Sequence, residues 1–127
     1  MRLLIDTHVL LWWDQDSADL SQRARTFIAD PANEIYISAA SVLEIAIKRR
    51  LNKLEFDGSV SDAVARNGFA GLEIDMEDAE MAGQIDWPHA DPFDRLLVAQ
   101  SLRRELTLVT ADNIICAFPG LATLRAR

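Results

Sequence analysis

One cysteine, Cys116, in 127 residues leaves no partner for an internal disulfide. Flanked by Ile115 and Ala117, it reads as a small buried hydrophobe, and a lone thiol fits a reducing cytosol. Histidine is almost as scarce. With only His8 and His89 present, a histidine-based metal or triad site has little support. His89 is expected to be exposed in a loop, and His8 to be structural on an apolar helix. Long apolar runs are missing too: Val9 to Trp13 falls far short of the roughly 20 residues that span a bilayer. No basic leader with an apolar core precedes the first strand pattern, so the expectation is a cytoplasmic chain without a membrane anchor. Neither GxGxxG nor GxxxxGK[ST] occurs, which removes the glycine-cradled nucleotide sites. Positive charge is short as well. Lys and Arg number 13 against 20 acids, giving −7, which argues against a nucleic-acid coat protein. It leaves room for a nuclease that gathers acids around a metal and keeps cations in a separate groove.

What is present reads as one α/β domain over residues 1–127. Half the residues are hydrophobic and 26% are charged, ordinary for an enzyme-sized domain of this length. Strand-like runs at 2–6, 34–38, 72–74, 107–110 and 121–124 alternate with helical patterns at 7–14, 20–30, 41–51, 59–67, 77–85, 92–105 and 113–118. No repeat or linker interrupts the order. Such alternation predicts a three-layer α/β/α arrangement around a mostly parallel, twisted sheet. Trp12 and Trp13 are expected in the core.

Against this background, four acids stand out. Asp6 follows Arg2-Leu3-Leu4-Ile5; Glu44 lies within Ser41-Val42-Leu43-Glu44-Ile45-Ala46-Ile47; Asp94 opens Asp94-Arg95-Leu96-Leu97-Val98-Ala99; Asp112 ends Leu108-Val109-Thr110-Ala111-Asp112. In a parallel sheet the strand ends share one edge, and ligands bind in the crevice outside it. Carboxylates gathered there repel one another unless a cation holds them, which predicts a divalent-metal site. Each acid also has a purely structural reading. Asp6 and Asp112 suit helix N-caps, and Glu44 stands four residues before Lys48, the spacing of a helical ion pair. Yet the face of Ala40, Glu44, Ile47 and Leu51 is largely apolar, and burying a carboxylate there is costly unless it is paired or metal-bound. Asp91-Pro92 reads as a helix start, which accounts for Asp91 better than for Asp94, head of the core stripe Leu97, Val98, Ser101 and Leu102. Lys48 to Lys53, with Arg95, Arg103 and Arg104, are the cations considered for phosphate contacts. For Lys48 to Lys53, a favourable place at a helix carboxyl end explains the charge equally well.

These residues resemble a known family. Ile5-Asp6-Thr7, Ser41 to Glu44, Asp94 with Ala99, and Thr110-Ala111-Asp112 look like the PIN domain. The block His89-Ala90-Asp91-Pro92-Phe93-Asp94-Arg95-Leu96-Leu97-Val98-Ala99-Gln100 closely resembles the branch containing VapC-type toxins of bacterial toxin–antitoxin pairs. The resemblance covers essentially the whole chain. It implies a metal-dependent ribonuclease that is usually dimeric and is neutralised by a small VapB-like antitoxin whose tail enters the active-site groove. Carried residue by residue, it implies Asp6 and Asp94 as the principal metal ligands, Glu44 and Asp112 as further acids of the site, and Thr110 as a supporting hydroxyl. Asp91 lies outside the general four-acid pattern.

The chemistry agrees with an oxygen-ligand ion. Mg²⁺ or Mn²⁺ needs few carboxylates, activates water and offsets phosphoryl charge. The expectation is hydrolysis of RNA phosphodiesters. A phosphoacceptor domain would need an acidic pair at the first strand and a late lysine, but Thr7 follows Asp6 and the last lysine is Lys53. A haloacid-dehalogenase-type phosphatase would place a second aspartate where His8 stands. The remaining alternative is a catalytically silent protein of the same fold that acts only through protein partners.

Overall fold

The computed structural model describes residues 1–127. Five strands, β1 (Arg2–Ile5), β2 (Glu34–Ser38), β3 (Ala70–Leu72), β4 (Thr107–Thr110) and β5 (Thr123–Arg125), form one sheet. Their order is β3-β2-β1-β4-β5, and every neighbouring pair runs parallel. The expectation of a mostly parallel sheet is met by a wholly parallel one. Seven helices connect the strands: α1 (Thr7–Asp14), α2 (Gln22–Ala29), α3 (Ala39–Arg50), α4 (Val60–Arg66), α5 (Met76–Gln84), α6 (Pro92–Arg104) and α7 (Asn113–Cys116).

The central strand explains the layering. Leu3, Leu4 and Ile5 are all fully buried, as a strand covered on both faces requires. Because side chains alternate, Leu3 and Ile5 join one apolar cluster with Val9, Leu10, Ile28, Ile45 and Val64. Leu4 joins the other, with Leu97, Val98, Leu108 and Ile115. Helices α1 to α4 therefore cover one face of the sheet, and α6 and α7 the other. No helix is long and apolar enough to cross a membrane.

Since β1 sits between β2 and β4, the chain leaves it in opposite directions, and a crevice opens at the carboxyl ends of these strands. Helices begin at that edge on polar caps. Asp6 accepts from the Val9 amide, Ser38 from Ala40, and Asp112 from Ile114 and Ile115. The strand-end residues are thus fixed in place before any chemistry is considered.

Several boundaries differ from the sequence expectation. Strand β3 covers Ala70–Leu72 rather than 72–74, because pairing of Tyr36, Ile37 and Ser38 with Ala70, Gly71 and Leu72 sets its register despite a poor strand-former in Gly71. Strand β5 covers Thr123–Arg125 rather than 121–124, aligned by Leu108, Val109 and Thr110. The apolar face expected around Glu44 is only half right: Ala40 is buried, but Ile47 and Leu51 are 41% and 54% exposed.

Candidate metal centre

The acids named from the sequence converge. Asp6, Glu44, Asp94 and Asp112 line one pocket of about 410 Å³ at the carboxyl edge of the sheet, together with Thr7, His8, Trp12, Lys48, His89, Asp91 and Arg127 among others. Asp6 comes from the turn after β1, Glu44 from α3, Asp94 from the first turn of α6, and Asp112 from the turn after β4.

These pocket-lining side chains also serve the local structure. Asp6 caps α1 through Oδ1, 2.9 Å from the Val9 amide, and is only 6% exposed. Burial pushes its pKa from 3.8 up to about 6; Thr110, the Val9 amide and His8 oppose the rise, and the charge of Asp94 adds to it. Asp112 uses Oδ1 to accept from Ile114 and Ile115 at 2.7 and 3.4 Å. Thr110 is fully buried, and its hydroxyl accepts the Asp112 amide at 3.1 Å, so it fixes the turn that carries this acid.

Glu44 is buried between two partners. Thr7 donates its hydroxyl proton to Oε1 at 2.6 Å, and Lys48 Nζ lies 2.6 Å from Oε2. Glu44 therefore makes the expected helical ion pair, and it also lines the pocket. Thr7, which also lies 3.0 Å from Ser41 Oγ, was not singled out in the sequence.

Asp94 is held by a residue that the sequence reading set aside. His89 Nε2 lies 2.7 Å from Asp94 Oδ2, and both side chains are 21% exposed. Burial raises the Asp94 pKa; His89 works against the rise, while the charges of Asp91 and Asp112 add to it. His89, Asp91 and Asp94 also bring ligand atoms within 4.8 Å of one another. Asp91 confirms its expected cap, with Oδ1 accepting from Phe93 and Asp94 at 2.8 and 3.2 Å. The loop exposure expected for His89 is thus corrected: two residues before the cap, its ring is partly buried and contacts Asp94 in the first turn of α6. The only signal in the sequence was the spacing His89-x-Asp91-x-x-Asp94.

His8 is corrected the other way. Thr7, Val9, Leu10 and Leu11 take the buried face of α1, which leaves His8 exposed at the pocket rim. Trp13 packs on Phe69 at 5.9 Å between ring centres, as a core residue should. Trp12 is half-buried against the core and also lines the pocket, with the Arg127 guanidinium 5.8 Å above its ring.

Most cations considered for phosphate binding are committed elsewhere. Arg95 donates to the carbonyls of Ala82, Gly83, Ile85, Trp87 and His89. Arg103 and Arg104 pair with Asp75 and Asp78, and Arg103 also with Glu77. Arg49 donates to Phe56 and Gly58 carbonyls. Among the pocket-lining cations, Lys48 is paired with Glu44, whereas Arg127 keeps a side chain 63% exposed, 3.3 Å from Asp19.

A set dominated by carboxylate oxygens matches the ligand preference of Mg²⁺ and Mn²⁺. Burial raises the pKa of both Asp6 and Asp94, and neither carboxylate is paired with a lysine or arginine.

Among curated proteins, no sequence matches the chain. Solved structures do. The fold is similar to VapBC2 from Rickettsia felis bound to a promoter DNA fragment, at TM-score 0.70 and 14% identity over 98% of each chain. It is similar to DNA-bound VapBC from Salmonella typhimurium at TM-score 0.68 and 17% identity, covering 100% of this chain and 99% of that one. VapBC-5 from Mycobacterium tuberculosis follows at TM-score 0.59 and 16% identity, over 99% and 98%. The sequence profile of the PIN domain matches residues 3–121, nearly the full length, and the chain belongs to the PIN-domain family.

Proposed function

We propose that this chain is a divalent-metal-dependent endoribonuclease and the toxin of a cytoplasmic toxin–antitoxin pair. The observation that carries the reading is the meeting of Asp6, Glu44, Asp94 and Asp112 around one pocket, with Asp6 ionising only near pH 6 in the absence of a counterion. A structural role alone gives no reason to gather four acids around one pocket, where the charge of Asp94 bears on Asp6 and that of Asp112 on Asp94. Membership of the PIN family and the likeness to VapBC complexes support both the nuclease and a VapB-like antitoxin partner. The chain is proposed to act as one domain and as a homodimer.

Asp6 and Asp94 are assigned the main ion, preferably Mg²⁺ or Mn²⁺, with Glu44 and Asp112 completing the acidic wall. The ion, when bound, supplies Lewis-acid charge for the phosphodiester and lowers the pKa of a water. The rest of the work falls to the chain. The caps on α1, α6 and α7 fix the backbones that carry Asp6, Asp94 and Asp112, so little reorganisation accompanies the reaction. Thr7 and Lys48 hold Glu44 in one orientation, facing the pocket. Thr110 holds the turn of Asp112. Arg127 at the rim, over the Trp12 ring and in an exposed pair with Asp19, is the cation assigned to a backbone phosphate.

The test is cleavage of single-stranded RNA by purified protein with Mg²⁺ or Mn²⁺, beside a folded Asp94→Asn variant. The intact chain is expected to generate new RNA ends that vanish with chelator and with the variant. Full cleavage by Asp94→Asn contradicts the assignment of the metal site, and no cleavage by the intact chain with either ion contradicts the proposal and favours the silent interaction module.

A further inference from the structure

We infer that His89 is a positioning residue that holds the Asp94 carboxylate in the pocket, and that the Arg95 guanidinium builds the loop which presents it. The inference rests on the metal-dependent reading above and deepens it. Asp94 shares one pocket with the carboxylates of Asp6, Asp91 and Asp112, and like charges repel. Its backbone is fixed by the Asp91 cap, but nothing in that cap restrains the side-chain torsions. The restraint comes from His89. Facing a carboxylate, Nε2 serves as the donor, and the 2.7 Å contact engages Oδ2 and leaves Oδ1 free of it.

The imidazole is itself braced. Trp87 stands 4.8 Å from it between ring centres and meets Phe118 edge-on at 5.3 Å. The loop between α5 and α6 lacks regular hydrogen bonding, and Arg95 replaces it. Nε reaches Ala82 O at 2.7 Å; Nη1 reaches Trp87 O and His89 O at 2.7 and 3.0 Å; Nη2 reaches Ile85 O and Gly83 O at 2.6 and 3.4 Å. All five donors of the guanidinium are thus directed at one loop and the end of the preceding helix. A bare surface arginine would not be arranged this way. The chain Arg95, loop carbonyls, His89, Asp94 is a continuous support for one carboxylate. Partners that orient metal-binding groups typically change metal affinity about 10- to 100-fold when removed.

The experiment measures Mn²⁺ affinity of the full chain by titration and its pulsed EPR spectrum, for the parent, His89→Ala, His89→Gln and Asp94→Asn. The Gln amide retains a donor that reaches Asp94; Ala does not. The expected result is a 10- to 100-fold loss for His89→Ala, recovery of most of it by His89→Gln, and no directly bound nitrogen on Mn²⁺ in the parent. Melting without metal reports whether each variant is folded, and the His89→Gln comparison holds that variable nearly fixed. Parent-like affinity in a folded His89→Ala, equal losses in both variants, or a strongly coupled ¹⁴N in the parent that disappears in His89→Ala overturns the inference, the last because His89 would then be a ligand. If Asp94→Asn binds Mn²⁺ as the parent does, the metal centre itself fails and this inference falls with it.

Discussion

At the carboxyl end of α6, Arg103 and Arg104 face Asp75, Glu77 and Asp78 at the start of α5. At its amino end, Asp91 and Asp94 share a pocket with Asp6 and Asp112, and no arginine or lysine pairs with any of them. The buried Asp78 accepts from Arg103, Arg104 and Gln100 and from the Asp75 amide. Burial raises its pKa, but those hydrogen bonds outweigh burial and leave it below the usual value. Asp6 and Asp94 move the other way, because burial is not offset. Two acidic clusters therefore flank α6: the one on α5 is neutralised by arginines of the chain, and the one at the amino end of α6 has no arginine or lysine paired with Asp6, Asp91, Asp94 or Asp112. The abundance of acids teaches little; the whereabouts of their counter-charges separates scaffold from site.

The contrast is broken most severely at Asp94. Asp94→Asn is expected to lower RNA cleavage by about 10²-fold or more, since it removes a proposed metal ligand rather than its support, while urea denaturation shows a folded protein. The same change at the other end should do the opposite. Asp78→Asn weakens a buried, multiply bonded carboxylate and is expected to destabilise the chain on the order of 3 kcal/mol, read by chemical denaturation, with cleavage per folded molecule preserved.

Asp6→Asn sharpens the comparison through pH. Asp6 titrates near 6 in the folded chain and at 3.8 when unfolded, so the folded state holds the proton more tightly. Stability linked to this proton is complete below pH 3.8 and is lost as pH rises through about 6. The loss is about 3 kcal/mol at most for the metal-free chain. Metal-free Asp6→Asn should therefore melt higher than the parent at pH 7.5, with the gap closing toward pH 4. For Asp78 the sign reverses: its contribution is present at neutral pH and disappears on acidification. The smallest effect is expected at Arg127, where substitution by Ala should reduce the salt-dependence slope of single-stranded RNA binding by about 0.7, one phosphate contact.

Legibility in the sequence followed the same division. Asp6 and Asp112 were visible because each ends an apolar run, and a strand end in a parallel sheet has a known neighbourhood. Glu44 was visible as an acid among Val42, Leu43, Ile45 and Ile47, although its burial owes more to Thr7 and Lys48 than to the helix face. His89 was not visible, because its role depends on a loop folded by five carbonyls around Arg95, and backbone acceptors leave no mark in residue type. Arg103 and Arg104 read as free cations for a related reason: the sequence shows their charge but not that Asp75, Glu77 and Asp78 are brought beside them by the packing of α5 on α6. Strand β3 was misplaced because Gly71 has little strand propensity of its own, and only the register with β2 selects it.

The most direct measurement is anomalous diffraction from crystals grown with Mn²⁺. The account predicts a peak in the pocket within about 2.2 Å of carboxylate oxygens from Asp6 and Asp94, with none at the Asp75–Asp78 cluster. A peak among Asp75, Glu77 and Asp78, or a pocket that stays without Mn²⁺ at saturating concentration near pH 7.5, would contradict it.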